Sequence, residues 1–228
     1  SGADHLRVLD MMRTRLQTNP LLLQMPLGAE DKFKGAINLL DENAVIYDEA
    51  SMGMKFSVVD IPDQYKDQAQ EARQALIEAI CELDDSLLER YLEGDTDIPI
   101  EALYRTIRQA TIDLKITPVL VGSAFKNKGI QQLLDAVVDF LPSPLDIPPV
   151  EGKDHRGQPV TRDIDGPLSA LAFKVMNDPY TGNLTFIRIY SGKLTAGSTV
   201  YNVNAEKKER IGRLVKMHAS QREEIKEA

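Results

Sequence analysis

Cysteine appears once in the 228 residues, at position 81. A single thiol excludes a disulfide framework and suits a reducing compartment. Histidine is nearly as scarce: His5, His155 and His218 lie far apart and join no cysteine pair, so no structural zinc spacing exists. No stretch approaches the roughly 18 uncharged apolar residues that a membrane helix requires, so no membrane partner is expected. Residues 1–15 lack the basic-then-apolar layout of a secretory signal. These absences point to a cytoplasmic protein. Positive charge is also in deficit, 27 basic groups against 35 acidic for a net −8, which argues against non-specific coating of nucleic acid. Cys81, beside Ile80 in a helical pattern, reads as inert core.

What is present is unevenly spread. Residues 20–117 carry a net −11, whereas residues 168–228 carry +4. Two blocks of opposite sign suit two different partners. The hydrophobic share of 43% is ample for a globular core.

Periodicity sets the coarse organisation. Leu6, Leu9, Met12 and Leu16 predict a helix over residues 4–17, capped by Asp4 and broken by Asn19-Pro20. Residues 21–27, 33–40, 44–47 and 56–59 predict short strands, with Gly28, Asp41-Glu42 and Gly53 as turns. A long helix is expected over residues 62–83, then shorter ones over 86–93 and from about 99. Residues 117–121 read as a buried strand leading into Gly122-Ser123-Ala124-Phe125. The helix that follows carries Ile130, Leu133, Leu134, Val137, Val138 and Leu141 on one stripe. The prolines at 142, 144, 148 and 149 end it. Residues 151–165 are polar and read as a linker. Beyond them, runs at 168–176, 184–190, 198–203 and 210–218 predict an all-β start of barrel or sandwich type.

Two glycine-containing segments invite a ligand reading. Gly192-Lys-Leu-Thr-Ala-Gly197-Ser198-Thr199 spaces its glycines as a phosphate loop does. Ser198 stands where the phosphate-contacting lysine belongs, however, and the segment joins two strand runs instead of opening a helix. It reads as a β-turn. No other phosphate-loop spacing occurs, nor any Asn-Lys-x-Asp, so this chain alone is not expected to bind a nucleotide tightly. The second segment is Gly122 to Gly129. It lies between a buried strand and an amphipathic helix, where open α/β sheets place their ligands. Its small residues would let a ligand edge reach backbone amides; an ordinary strand-to-helix connection fits the same spacing.

At this loop the sequence resembles bacterial elongation factor G. The resemblance rests on Ser123-Ala-Phe-Lys-Asn-Lys-Gly129 followed by residues 133–148, Leu-Leu-Asp-Ala-Val-Val-Asp-Phe-Leu-Pro-Ser-Pro-Leu-Asp-Ile-Pro. Gly2-Ala3-Asp4, Pro26-Leu27-Gly28, Tyr91-Leu92-Glu93-Gly94 and residues 110–118 are also similar, as are Ala170-Leu-Ala-Phe-Lys174 and Asp178-Pro179-x-x-Gly182. The likeness continues through residues 183–192 and 217–224. It implies the C-terminal part of a P-loop GTPase domain with an α/β insertion subdomain, followed by a partial β-barrel. Residues 1–19 would be a helix of the GTPase domain, 20–116 the insertion, and 117–150 the domain's last strand and helix with an exit segment. Residues 151–165 would be the linker and 166–228 the start of the second domain. Ser123, Ala124 and Phe125 match the guanine-contact loop, with the Ala124 amide near the base oxygen. GTP with magnesium would serve the parent protein, and neither is expected bound to this segment alone. No catalytic residue or metal ligand carries over, so the chain alone is expected to show no GTPase activity. About 60 residues and some four strands would leave the barrel unclosed, with open edges.

The charged blocks gain candidate partners from the same resemblance. Asp63, Asp67 and Glu71 recur every four residues on the expected long helix, and Glu78 and Glu82 repeat the step. A solvated face near a helix start accounts for this, and so does a docking face for a basic partner. The resemblance names the C-terminal domain of the ribosomal stalk protein, with Asp67, Glu71 and Glu78 as the binding residues. The basic block, Lys207, Lys208, Arg210, Arg213, Lys216, Arg222 and Lys226, suits a solvated sheet face or contact with small-subunit ribosomal RNA. No aromatic interleaving there supports base stacking. The function implied is that of a ribosomal translocation factor. A ribosome-protection or release-type GTPase and a stand-alone acidic adaptor are the alternatives.

Overall fold

A computed structural model describes residues 2–95, 97–154, 156–178, 182–218 and 221–228. Ser1 and His155 lie outside the described residues, as do parts of the Asp178-Pro179-x-x-Gly182 and Met217-His218-Ala219 motifs. The chain forms two compact units, Ser1–Pro142 and Ser143–Ala228.

The first unit begins with α1 (His5–Leu16), whose Asp4 cap accepts the Arg7 amide at 3.1 Å. Strands β1 (Pro20–Leu22), β2 (Gln24–Leu27), β3 (Gly35–Asn38), β4 (Asn43–Tyr47) and β5 (Phe56–Asp60) follow. Next come α2 (Lys66–Cys81), α3 (Asp85–Leu92), α4 (Ile100–Ile112), β6 (Thr117–Val119) and α5 (Ile130–Phe140). β2 to β5 make a four-stranded antiparallel meander, while β1 pairs in parallel with β6.

The apolar run at 21–27, expected as one strand, is divided between these two sheets. Leu23 is the point of division. Its amide donates to the Val119 carbonyl at 2.9 Å, and its carbonyl accepts from the Leu39 amide at 3.1 Å. A leucine-rich run holds no turn residue to announce such a change of partner.

One core cluster joins the sheets to the helices. Leu23, Met25, Ile37 and Leu39 meet Leu76 and Ile80 of α2, Leu87 of α3, and Leu103 and Ile107 of α4. The α4 stripe, Leu103, Thr106, Ile107, Ala110 and Thr111, is buried at the three- and four-residue steps of a helix face. Cys81 is fully enclosed, and burial, aided by the charge of Asp84, pushes its thiol upward. The expected helix at 62–83 opens as a short 3-10 turn, Asp63–Tyr65, before α2 proper. β5 is the edge of the meander, and every residue of it is exposed.

Asp84 shows how a helix start is fixed. Its carboxylate accepts the Ser86 hydroxyl at 2.6 Å and the Ser86 and Leu87 amides at 3.0 and 3.1 Å. These bonds, the Ser86 side chain's first, hold its pKa below the ordinary carboxylate value. Asp84→Ala is expected to cost about 1 kcal/mol, the usual worth of an N-cap. Because the folded pKa is lowered, the contribution is complete above the unfolded value of about 3.9 and disappears as pH falls through the folded one. Urea unfolding of both proteins at neutral and acid pH should therefore show a gap that closes on acidification.

α5 departs from expectation in a different way. Its stripe has the predicted period, yet Leu133, Leu134, Val137, Val138 and Leu141 are exposed, Val138 by 77%. The buried contact is made by Phe140, which stacks on Tyr104 with ring centroids 5.5 Å apart. Periodicity identifies an apolar face but carries no information about what lies against it.

The second unit is all β. The expected linker at 151–165 contains a hairpin of β7 (Val150–Lys153) and β8 (Pro159–Arg162). Its turn is set by Asp154, whose carboxylate accepts the Arg156 and Gln158 amides at 2.8 and 2.9 Å. Polar composition concealed it, because a turn of this kind uses the same residues as a linker. Strands β9 (Ser169–Asp178) and β10 (Gly182–Ser191) pair next, then β11 (Thr199–Asn202) with β12 (Lys207–Arg210), and β13 (Leu214–His218) with β14 (Gln221–Ile225). These are six strands where about four were expected. The run at 210–218 is broken between Arg210 and Leu214, and polar β14 gave no apolar alternation to read. The Gly192–Thr199 segment joins β10 to β11, as a turn should. The three ladders form separate two-stranded sheets, and no closed barrel exists among the described residues.

Candidate functional site

β6 ends at Val119, and the chain reaches the candidate loop at the carboxyl end of the β1·β6 parallel pair. Ser123 and Lys128 close it as a small antiparallel bridge, with Ser123 N to Lys128 O at 2.8 Å and the reverse bond at 3.1 Å. Between them Ala124–Lys126 makes one 3-10 turn, its last amide donating to Ser123 O at 3.1 Å. Asn127 is left-handed at φ 52°, as is Gly129 at 91°, which lets the chain reverse into α5. Gly122 is required by close approach, since a Cβ would lie 2.7 Å from the Lys128 carbonyl oxygen.

Of the three sequence-predicted residues, Ser123 is half-buried and Ala124 and Phe125 are exposed, Phe125 by 98%. The Ala124 and Phe125 amides make no hydrogen bond among the described residues. They stand free for an acceptor such as the oxygen of a planar base.

The loop rests on the turn between β4 and β5. Lys128, only 3% exposed, donates through Nζ to the Phe33 carbonyl at 2.8 Å and to Glu49 Oε1 at 3.2 Å. Gln131 Nε2 reaches the Met54 and Gly53 carbonyls at 3.1 and 3.4 Å, while its Oε1 is buried with no partner among the described residues. Gly53, at φ 77°, sits so close that a Cβ would fall 2.5 Å from Lys126 O. Tyr47 donates to Gln132 Oε1 at 2.8 Å, and burial pushes its phenol up to about 12. In the sequence Gly53 reads only as a turn and Lys128 only as part of a motif. No local signal marks these contacts, which join residues more than 70 positions apart.

The acidic candidates lie elsewhere. Asp67, Glu71 and Glu78 are exposed and share one face of α2, opposite the buried Ala69, Leu76 and Ile80. None of the three is in an ion pair among the described residues. Asp63 is a correction to the expected pattern. It precedes α2 in the 3-10 turn and pairs with Lys66 at 2.7 Å, which lowers its pKa. In the second unit Lys207, Lys208, Arg210, Arg213, Lys216, Arg222 and Lys226 are all exposed, and Lys207 approaches Glu209 at 3.4 Å. Among the described residues no group of His, Cys, Asp and Glu is placed to hold a metal ion, and no helix is long and apolar enough to cross a membrane.

Two comparisons with known proteins bear on this arrangement. Residues 167–228 match the family model for elongation factor G domain 2. A solved crystal structure from Thermus thermophilus aligns with all of this chain at a TM-score of 0.76 and 28% identity. The chain spans 31% of that protein's length. Residues 167–228 thus match the domain 2 family of elongation factor G, and the chain as a whole shares the fold of the Thermus thermophilus protein.

Proposed function

We propose that the chain works within a cytoplasmic ribosomal translocation factor that couples GTP hydrolysis to movement of tRNA and mRNA. Its own part is to read the guanine edge through Ser123, Ala124 and Phe125, while the phosphates and magnesium of GTP are held by other residues of the parent protein. The acidic face of α2, with Asp67, Glu71 and Glu78, meets the ribosomal stalk protein. The exposed cations of β12 and β13 meet phosphates of small-subunit RNA. The observation that carries this reading is the free Ala124 amide beyond the end of β6, in a chain whose residues 167–228 match elongation factor G domain 2.

Ala124→Pro tests the base contact with little disturbance to the fold. Ala124 is the first residue of its 3-10 turn and follows an extended Ser123 at φ −133°, so proline fits while removing the amide. In the full-length protein that carries this chain, GDP affinity should fall by roughly tenfold, the upper end of one hydrogen bond's worth. Unchanged GDP affinity in a well-folded variant would overturn the reading.

A further inference from the structure

The turn at residues 48–55 belongs to the meander, whereas the 122–129 loop follows the parallel pair, and the two meet through several unlike contacts. Lys128 places its ammonium on Phe33 O and Glu49, Gln131 clasps the Gly53 and Met54 carbonyls, and Gly53 abuts the Lys126 and Asn127 backbone. Lys128 is the charged member, and it is almost wholly enclosed. Enclosing an ammonium is costly unless its donors are satisfied. Leucine or methionine would fill the same space without that cost, so the charge serves to fix geometry.

The turn also has an internal frame of its own. Asp48 accepts the Ala50 and Ser51 amides at 3.2 and 3.0 Å, and the Ser51 hydroxyl donates to Asp48 O at 3.1 Å. The Lys55 amide returns to Ser51 Oγ at 3.0 Å, and Asp48 N to Lys55 O at 2.9 Å. The turn is therefore a stiff base instead of a slack loop. Lys128 in turn bonds through its backbone to Ser123, one residue before the free Ala124 amide.

We propose that the 48–55 turn is the seat of the 122–129 loop and that Lys128 is the positioning residue that fixes where the Ala124 amide points. Lys128 touches no nucleotide; it acts through the loop. The proposal rests on the guanine reading above and adds that the insertion sets the geometry of the base contact.

The test compares GDP with 2-aminopurine riboside diphosphate, which lacks the base oxygen that the Ala124 amide would meet. Affinities are measured by calorimetry on the full-length protein, with melting and circular dichroism to check folding. Lys128→Met should weaken GDP about tenfold, as much as losing the hydrogen bond itself, and leave the 2-aminopurine nucleotide unchanged. Gly53→Ala, which intrudes on the loop from the opposite side, should show the same selective loss. Equal weakening of both nucleotides would assign Lys128 a merely structural role and overturn the proposal. So would unaltered GDP binding in both variants while Ala124→Pro weakens it. If Ala124→Pro itself has no effect, the guanine reading fails, and the proposal falls with it.

Discussion

Ile107→Ala is expected to lower the stability of the N-terminal unit by about 2–5 kcal/mol. Ile107 is 0% exposed and lies midway along α4, in the cluster that gathers both sheets and four helices. Removing its methyl groups forfeits their transfer free energy and leaves a cavity that neighbours from several elements cannot close together. The midpoint of urea unfolding should drop while the slope is retained. Val138→Ala is the matched control. It too deletes apolar carbons from a helical stripe, but its side chain is 77% exposed, so its effect should stay within about 0.5 kcal/mol. A Val138→Ala cost equal to that of Ile107→Ala would show that the α5 stripe is covered in solution.

The combined reversal Asp67→Lys, Glu71→Lys and Glu78→Lys is expected to slow association with the stalk protein's C-terminal domain by about 10- to 1000-fold at low salt. That is the range over which electrostatic steering acts. The three carboxylates share one exposed face and have no cationic partners among the described residues to neutralise them. Lysine and glutamate have similar helix propensities, so α2 should remain folded and the change should act through the field alone. Stopped-flow association at rising ionic strength provides the check, because wild type and variant should converge as salt screens the charges. Binding unchanged by the reversal would leave α2 as an ordinary solvated face.

How far the sequence disclosed all this depends on the range of the interaction concerned. The α1 and α4 patterns and the Asp4 cap were legible because helix periodicity and capping are settled within a few residues. The strand-to-helix loop at 123–129 was legible for the same reason. Small residues between a strand and an apolar-striped helix state their own geometry, although β6 holds no buried residue where a buried strand was expected. The division at Leu23 was not legible, because nothing in a run of leucines distinguishes a parallel partner from an antiparallel one. Polar β14 and the hairpin at Asp154 were hidden by residues that serve loops equally well. The Lys128 seat was the least accessible part of the candidate site. Its contacts link positions 95 and 79 residues apart, and a lysine inside a basic-looking motif suggests solvent instead of burial.

Leu23 leaves the chain no swivel between its two sheets. With the amide held by Val119 and the carbonyl by Leu39, rotation of the meander against the parallel pair would have to break one bond or the other. The core that Leu23 shares with Leu76 and Ile80 of α2 is thereby built on a sheet junction that cannot turn without losing a hydrogen bond.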